Sequence, residues 1–123
     1  MILGVGTDII EIERIKKAIE RTPKFLEKTF TEKEIELFKS KSMKLESIAG
    51  NFAAKEAISK AIGRGFRGFS FNDLEVLRDE LGKPIVNISN KVKEFLEYEE
   101  VIFHISISHN KSCAIAFVTM EVR

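Results

Sequence analysis

The sequence predicts an α+β fold in which a largely antiparallel sheet packs against a long central helix. One helical pattern, residues 45–62, is long and rich in alanine, and apolar β-branched runs lie near both ends of the chain. The predicted order is a strand, several helices, a hairpin, a helix and a second hairpin, which is typical of this class. The 123 residues suffice for one domain, 1–123, and are too few for two.

Composition narrows the class of protein. Hydrophobic residues make up 44% and charged residues 32% of the chain, as in ordinary globular proteins. A formal charge of +1 argues against nucleic-acid binding as the main task. No apolar run reaches the length of a membrane span, and the N-terminus lacks the pattern of a signal peptide. We therefore expect a cytoplasmic protein without a membrane partner.

The N-terminal run Ile2–Ile10 is apolar and β-branched, so it predicts a strand buried on both sides or nearly so. Its one charge is Asp8. A carboxylate in such a run needs a cation or a metal ion beside it, or else it caps the following helix. The spacing alone leaves both interpretations of Asp8 open.

The next helix, Glu11–Arg21, is predicted to carry a basic outer face. Its apolar residues fall on one side, and Arg14, Lys17 and Arg21 fall together on the other. Residues 14–28 hold six basic side chains against two acidic ones. Such a patch favours an acidic partner. Farther along, the spacing of Thr31 and Glu34 predicts a capping box that opens another helix.

The central helix carries the side chains that suit chemistry. Its apolar arc is mostly alanine, which predicts unusually close packing against its neighbour. Glu56 and Lys60 lie four residues apart, on one face at the border of that arc. Gly63-Arg64-Gly65 follows as a turn with exposed amides and a cation, which suits a phosphate group. A surface ion pair of little consequence is the alternative interpretation of Glu56 and Lys60.

The second half predicts a hairpin, a helix and a closing hairpin. Residues 74–77 and 85–88 form the first pair of strands around a turn at Gly82. Asn90 is predicted to cap the last helix. The runs 101–108 and 113–122 form the final strands.

Four blocks in this order resemble the phosphopantetheinyl transferases of the small bacterial holo-acyl-carrier-protein synthase type. They are GVGTDIIEIERI, NFAAKEAISKAIGRG, NDLEVLRDELGKP and HISISHNKSCAIAFV. The resemblance spans nearly the whole chain and implies the fold of that superfamily. It also implies transfer of 4′-phosphopantetheine from coenzyme A to a serine of a fatty-acid-type apo-acyl carrier protein, with release of 3′,5′-ADP. Mg²⁺ is the implied cofactor, and a homotrimer with active sites at the subunit clefts is the implied assembly.

The resemblance also implies roles for single residues. Asp8 and Glu56 match the two metal carboxylates of the family, and oxygen ligands suit Mg²⁺. Lys60 would stabilise the phosphates electrostatically and is a possible proton donor. The base that activates the carrier serine stays open between Glu56, Asp8 and a metal-bound water. The basic face of Arg14, Lys17 and Arg21 matches the docking surface for the carrier.

The remaining coenzyme contacts follow from the same resemblance. We expect residues along the nucleotide from the central helix and its turn, and further contacts from a neighbouring subunit; they are Phe52, Gly63, Arg64, Gly65, Lys83, Pro84 and His109. Many relatives carry a basic residue at the position of Asn51 and a threonine at that of Arg64. This chain therefore lacks one cation and gains another nearby, which would change the route of a phosphate contact.

Two other functions remain compatible with the residues. A Mg²⁺-dependent nucleotide pyrophosphatase would use the same carboxylates with water as the acceptor. A non-catalytic adaptor would bind an acidic protein through the basic face of the first helix and would not need Glu56.

Overall fold

The computed structural model describes residues 1–63 and 65–123. Within these ranges the chain forms a short 3₁₀ helix at Phe71–Asp73 and the following strands and helices: β1 (Ile2–Glu11), α1 (Ile12–Arg21), α2 (Phe25–Thr29), α3 (Glu32–Ser40), α4 (Leu45–Ile62), β2 (Leu74–Arg78), β3 (Pro84–Ile88), α5 (Asn90–Leu96), β4 (Val101–His109) and β5 (Cys113–Val122). This order confirms the predicted α+β class.

Two antiparallel sheets surround the central helix. The larger sheet has the strand order β1-β5-β4, and β2 and β3 form a separate hairpin. One face of the larger sheet packs on α4, where Ala116 and Val118 of β5 are fully buried. Helix α4 ends as predicted at Gly63, which takes a left-handed conformation with φ 90°. None of the helices in the described ranges has both the length and the apolar character that crossing a membrane requires.

Strand β1 lies unusually close to α4, as the alanine-rich arc predicts. A Cβ added to Gly4 would stand 1.8 Å from the carbonyl oxygen of Ala61, and one on Gly6 would stand 1.9 Å from that of Ala57. Only glycine allows such an approach of two backbones. Because side chains alternate along a strand, Asp8 faces α4 as Gly4 and Gly6 do. The glycines thus bring the Asp8 carboxylate to the surface of the helix.

The prediction that β1 is buried on both sides is wrong for the single chain. The face that points away from α4 leaves Val5 55% and Ile9 65% exposed. Ile115 and Phe117 of the neighbouring strand β5 continue this surface at 43% and 46% exposure. The periodicity failed here because an apolar strand looks the same in sequence whatever eventually covers its outer face. We call these four residues the outer apolar face.

The structure excludes one of the two open interpretations of Asp8 and corrects the predicted cap of the last helix. Helix α1 begins after Glu11, so Asp8 lies within β1 and cannot be its N-cap. Helix α5 is capped by Ser89, whose hydroxyl accepts a hydrogen bond from the Val92 amide, and not by Asn90. The serine before an asparagine shifts the start by one residue, since both residue types cap well. The capping box of Thr31 and Glu34 is confirmed.

Candidate active site

Two acidic side chains from distant parts of the chain meet in one cavity. Asp8 comes from β1 and Glu56 from the middle of α4, and both line a cavity of about 320 Å³. Phe52, one turn before Glu56, lines the same cavity, and so does Arg14 of α1. We call this the carboxylate cavity. The structure thus brings together the predicted metal carboxylates, one predicted coenzyme contact and one predicted docking residue.

Lys60 completes the charged group. Its ammonium donates hydrogen bonds to the Thr7 carbonyl at 2.8 Å and to the Asp8 carboxylate at 3.2 Å. The Asp8 side chain is only 17% exposed, whereas that of Lys60 is 53% exposed. Lys60 therefore reaches across from α4 to β1, and its ion pair is made with Asp8, from a different element.

The carboxylates of Asp8 and Glu56 are close enough for the charge of one to affect the ionisation of the other. Burial raises the pKa of Glu56, the negative charge of Asp8 raises it further, and the Lys60 ammonium opposes both. Two carboxylates that repel each other in a partly buried cavity favour a cation between them. Hydrogen-bond donors to the Glu56 carboxylate are missing from the described residues, so its oxygens stay open to a ligand.

These residues fit a magnesium ion. Mg²⁺ prefers oxygen ligands and is usually held by one or two carboxylates, with water and substrate phosphates completing its octahedron. In the described part of the chain, no cluster of three or more His, Cys, Asp or Glu side chains could hold a metal by itself. Asp8 and Glu56 would be the protein ligands, and the other positions would fall to water and substrate.

Part of the carboxylate cavity is apolar. Phe52 and Phe25 form one wall, with ring centroids 6.3 Å apart, and Phe52 stacks on Phe71 at 5.3 Å. Ile10 and Ile15 add aliphatic surface. A cavity lined by both carboxylates and aromatic rings suits a ligand with both a phosphate and an uncharged chain.

Other predicted coenzyme residues lie elsewhere in the chain. Pro84 and His109 line a second cavity of about 350 Å³, which we call the hairpin cavity, and Lys83 lines a groove between β3 and β4. Gly50 of α4 faces the hairpin cavity, whereas Phe52 faces the carboxylate cavity. Residues two positions apart in a helix, such as Gly50 and Phe52, point in directions that differ by about 200° around the helix axis. The two cavities therefore lie on opposite sides of α4.

The turn after α4 is described only in part. Gly63 and Gly65 both have positive φ, and a Cβ on either would meet nothing within 4 Å. Open, left-handed glycines are compatible with the predicted approach of a phosphate. Arg64, the cation predicted between them, lies outside the described residues.

Sequence analysis missed a buried polar network beside the site. Lys55 pairs with Glu34 at 2.5 Å, and both side chains are fully buried. The other oxygen of Glu34 accepts from the Asn51 amide at 3.0 Å and from the Val76 backbone at 3.2 Å. Asn51 accepts in turn from Arg78 at 2.9 Å. The available signal was that Asn51 and Lys55 lie four residues apart in a helix that is apolar nearly all round.

Burial disfavours the charged forms of both Glu34 and Lys55. Burial raises the pKa of Glu34 and lowers that of Lys55, while each charge opposes the shift of the other. The Lys55 ammonium also donates to the carbonyls of Thr29 and Phe71. A buried ion pair with its hydrogen bonds satisfied connects α2, α3 and the segment before β2 to the central helix.

Comparison with known proteins identifies the family of this chain. Residues 4–118 match the family model of the 4′-phosphopantetheinyl transferase superfamily. A holo-[acyl-carrier-protein] synthase of Clostridium beijerinckii is 60% identical over 121 residues, covering 98% of this chain and 98% of that protein. One from Clostridium botulinum strain Alaska E43 is 59% identical over 122 residues, covering 99% of each.

Solved structures show the same fold. A holo-(acyl-carrier-protein) synthase from Bacillus anthracis, in complex with CoA (3′,5′-ADP), is 44% identical with a TM-score of 0.83, covering 100% of this chain and 99% of that one. The Helicobacter pylori synthase in complex with coenzyme A is 35% identical with a TM-score of 0.83, covering 95% and 99%. The chain therefore belongs to the 4′-phosphopantetheinyl transferase superfamily, among its holo-[acyl-carrier-protein] synthases.

Proposed function

We propose that this enzyme transfers the 4′-phosphopantetheine group of coenzyme A to a serine of apo-acyl carrier protein, releases 3′,5′-ADP and depends on Mg²⁺. The observation that carries the proposal is the meeting of Asp8 and Glu56 in one cavity, with Lys60 bonded to Asp8. In the reaction, the serine oxygen forms a bond to the β-phosphorus and the bond from that phosphorus to the oxygen of the departing 3′,5′-ADP breaks. Membership of the family and the coenzyme A complexes of two relatives support the choice of substrate.

The side chains in and beside the carboxylate cavity would have different roles in the reaction. Asp8 and Glu56 would hold Mg²⁺, which supplies charge neutralisation for the diphosphate. The Lys60 ammonium is half exposed and would stabilise negative charge on the leaving phosphate. Glu56 is our candidate for the base that takes the serine proton, because Lys60 already donates to Asp8 while no described donor reaches Glu56. The aromatic wall of Phe25 and Phe52 would lie along the uncharged arm.

The acyl carrier protein would dock on α1. Arg14, Lys17 and Arg21 are exposed on this helix, and Arg14 also lines the carboxylate cavity. An acidic carrier bound there would present its serine at the mouth of the cavity. Electrostatic attraction of this kind raises the association rate and weakens with salt.

Charge reversal of this surface tests the docking role. In the double variant Arg14→Glu and Arg21→Glu we expect KM for the carrier to rise by about tenfold or more, with a loss that depends on salt and a kcat close to that of the wild type. The double variant Lys33→Glu and Lys39→Glu removes the same charge from α3 and should leave KM unchanged. A collapse of kcat at constant KM in the α1 variant would contradict the docking role.

We also propose that the enzyme is a homotrimer with sites shared between subunits. The hairpin cavity and the carboxylate cavity lie on opposite sides of α4, so a coenzyme with its diphosphate in the carboxylate cavity would have to pass around the helix to reach the hairpin cavity of the same chain. If His109 and Pro84 contact the coenzyme as the family resemblance implies, a second copy is the more direct source of these residues. The outer apolar face of Val5, Ile9, Ile115 and Phe117 provides a surface for such an assembly.

A carrier assay tests the proposed reaction directly. Incubation of the enzyme with coenzyme A, Mg²⁺ and apo-acyl carrier protein should increase the carrier mass by one phosphopantetheine, as read by mass spectrometry. Replacement of Mg²⁺ with excess chelator should stop the reaction. Release of 3′,5′-ADP without a carrier would instead indicate a pyrophosphatase, and an unmodified carrier that still binds the enzyme would indicate an adaptor.

A further inference from the structure

The hairpin cavity contains a cation that the family resemblance does not assign. Arg78, the last residue of β2, lines this cavity together with Pro84 and His109. Two hydroxyls, those of Ser47 and Ser106, lie in the same lining. The cavity therefore combines a guanidinium, hydroxyl donors and an imidazole, which is a set of groups that recognises an anion such as a phosphate.

The buried network holds the Arg78 guanidinium in place. Its Nη2 donates to the side-chain oxygen of Asn51 at 2.9 Å, and its Nη1 donates to the Leu77 carbonyl at 3.1 Å. Asn51 is itself fully buried, and its amide nitrogen is fixed by Glu34 and the Val76 carbonyl. A cation held at this end loses little side-chain freedom when it binds a ligand.

The Arg78 guanidinium retains N–H donors that are available for a ligand. Arginine has five N–H groups. The two bonds above engage two of them, and within residues 1–63 and 65–123 the others have no partner. Glu46 is the carboxylate in the cavity lining, and the described ion pairs do not join it to Arg78. Arg78 can therefore offer a planar pair of donors to a phosphate.

We propose that Arg78 binds the 3′-phosphate of the coenzyme and makes the enzyme prefer coenzyme A to dephospho-coenzyme A. This inference rests on the proposed function, because it takes coenzyme A as the ligand. The diphosphate is assigned to the carboxylate cavity of one copy, so the phosphate that reaches the hairpin cavity of a second copy is the phosphomonoester on the ribose.

Comparing coenzyme A with dephospho-coenzyme A as substrates tests the contact between Arg78 and the 3′-phosphate. For the variant Arg78→Ala we expect KM for coenzyme A to rise by about tenfold or more, because a charge-assisted phosphate contact is lost. KM for dephospho-coenzyme A should change by less than about twofold, since that substrate lacks the 3′-phosphate. Arg78→Lys, which keeps the charge without the planar pair, should lie between the two. Lys33→Ala, an exposed charge removal on α3, is the matched control.

Binding measurements separate this inference from the proposed reaction. By calorimetry, the wild type should bind adenosine 3′,5′-bisphosphate at least about tenfold tighter than adenosine 5′-phosphate, and Arg78→Ala should lose that preference. If Arg78→Ala unfolds, Arg78→Gln is measured in its place. Loss of the preference without any modification of a carrier would support Arg78 and refute the proposed reaction. Modification of the carrier with a preference that survives in the Arg78 variants would overturn the inference.

Discussion

Replacing Glu56 with glutamine is expected to lower kcat by about three orders of magnitude while the protein stays folded. Glutamine preserves the shape of the side chain and removes the charge and the basic oxygen. Glu56 is only partly buried and burial raises its pKa, so neutralising it should not destabilise the fold. Carrier modification followed by mass spectrometry measures the activity, and thermal unfolding checks the structure.

An exposed carboxylate of α3 provides the control for Glu56. Glu36 lines neither the carboxylate cavity nor the hairpin cavity, so Glu36→Gln should retain Mg²⁺-dependent turnover within a few fold. Mixing Glu56→Gln chains with His109→Ala chains should restore part of the activity, because a shared site then contains one intact copy of each residue. Full activity of Glu56→Gln would remove the basis for the proposed reaction.

Replacing Lys55 with methionine is expected to lower the free energy of unfolding by about 3–5 kcal/mol. Methionine has a similar length but leaves the Glu34 carboxylate buried without its counter-ion. It also leaves the carbonyls of Thr29 and Phe71 without their donor. Urea denaturation at a fixed protein concentration measures the loss.

The loss should depend on pH in a defined direction. Burial already raises the pKa of Glu34 above its usual value, and removing the Lys55 charge raises it further. A carboxyl with a raised folded-state pKa contributes stability below its unfolded pKa and loses it as the pH rises through the folded one. Lys55→Met should therefore be least destabilised in acid. Adding Glu34→Gln should recover part of the stability at neutral pH, and a single variant as stable as the wild type would contradict the role of the pair.

The helices and strands could be predicted because their signals are local. The capping box at Thr31, the alanine arc of α4 and the glycine at its end each act within a few residues along the chain. The Ser89 cap was missed since Ser89 and Asn90 cap about equally well, and only backbone geometry distinguishes them. Burial of β1 was overestimated because the sequence does not say whether a second copy covers its outer face.

The candidate site was predicted through a resemblance, and its residues alone left Asp8 undecided between a cap and a ligand. Its position within β1, with Lys60 bonded to it, removes the cap. The spacing of Asn51 and Lys55 in an apolar helix could have indicated a buried polar pair, but it could not identify Glu34 and Arg78 as their partners. These four residues come from α3, α4 and β2, and each of them is common on protein surfaces.

The sequence by itself determined the fold class, the bounds of α4 and the presence of two acidic residues with a basic helix nearby. Only the tertiary structure decided that Asp8 and Glu56 share a cavity, that Pro84 and His109 lie on the other side of α4, and that Arg78 is held by Asn51. The physical reason is the distance along the chain over which each kind of interaction acts. Periodicity and capping act between residues a few positions apart, whereas a cavity is made by backbones that approach as closely as glycine and alanine allow.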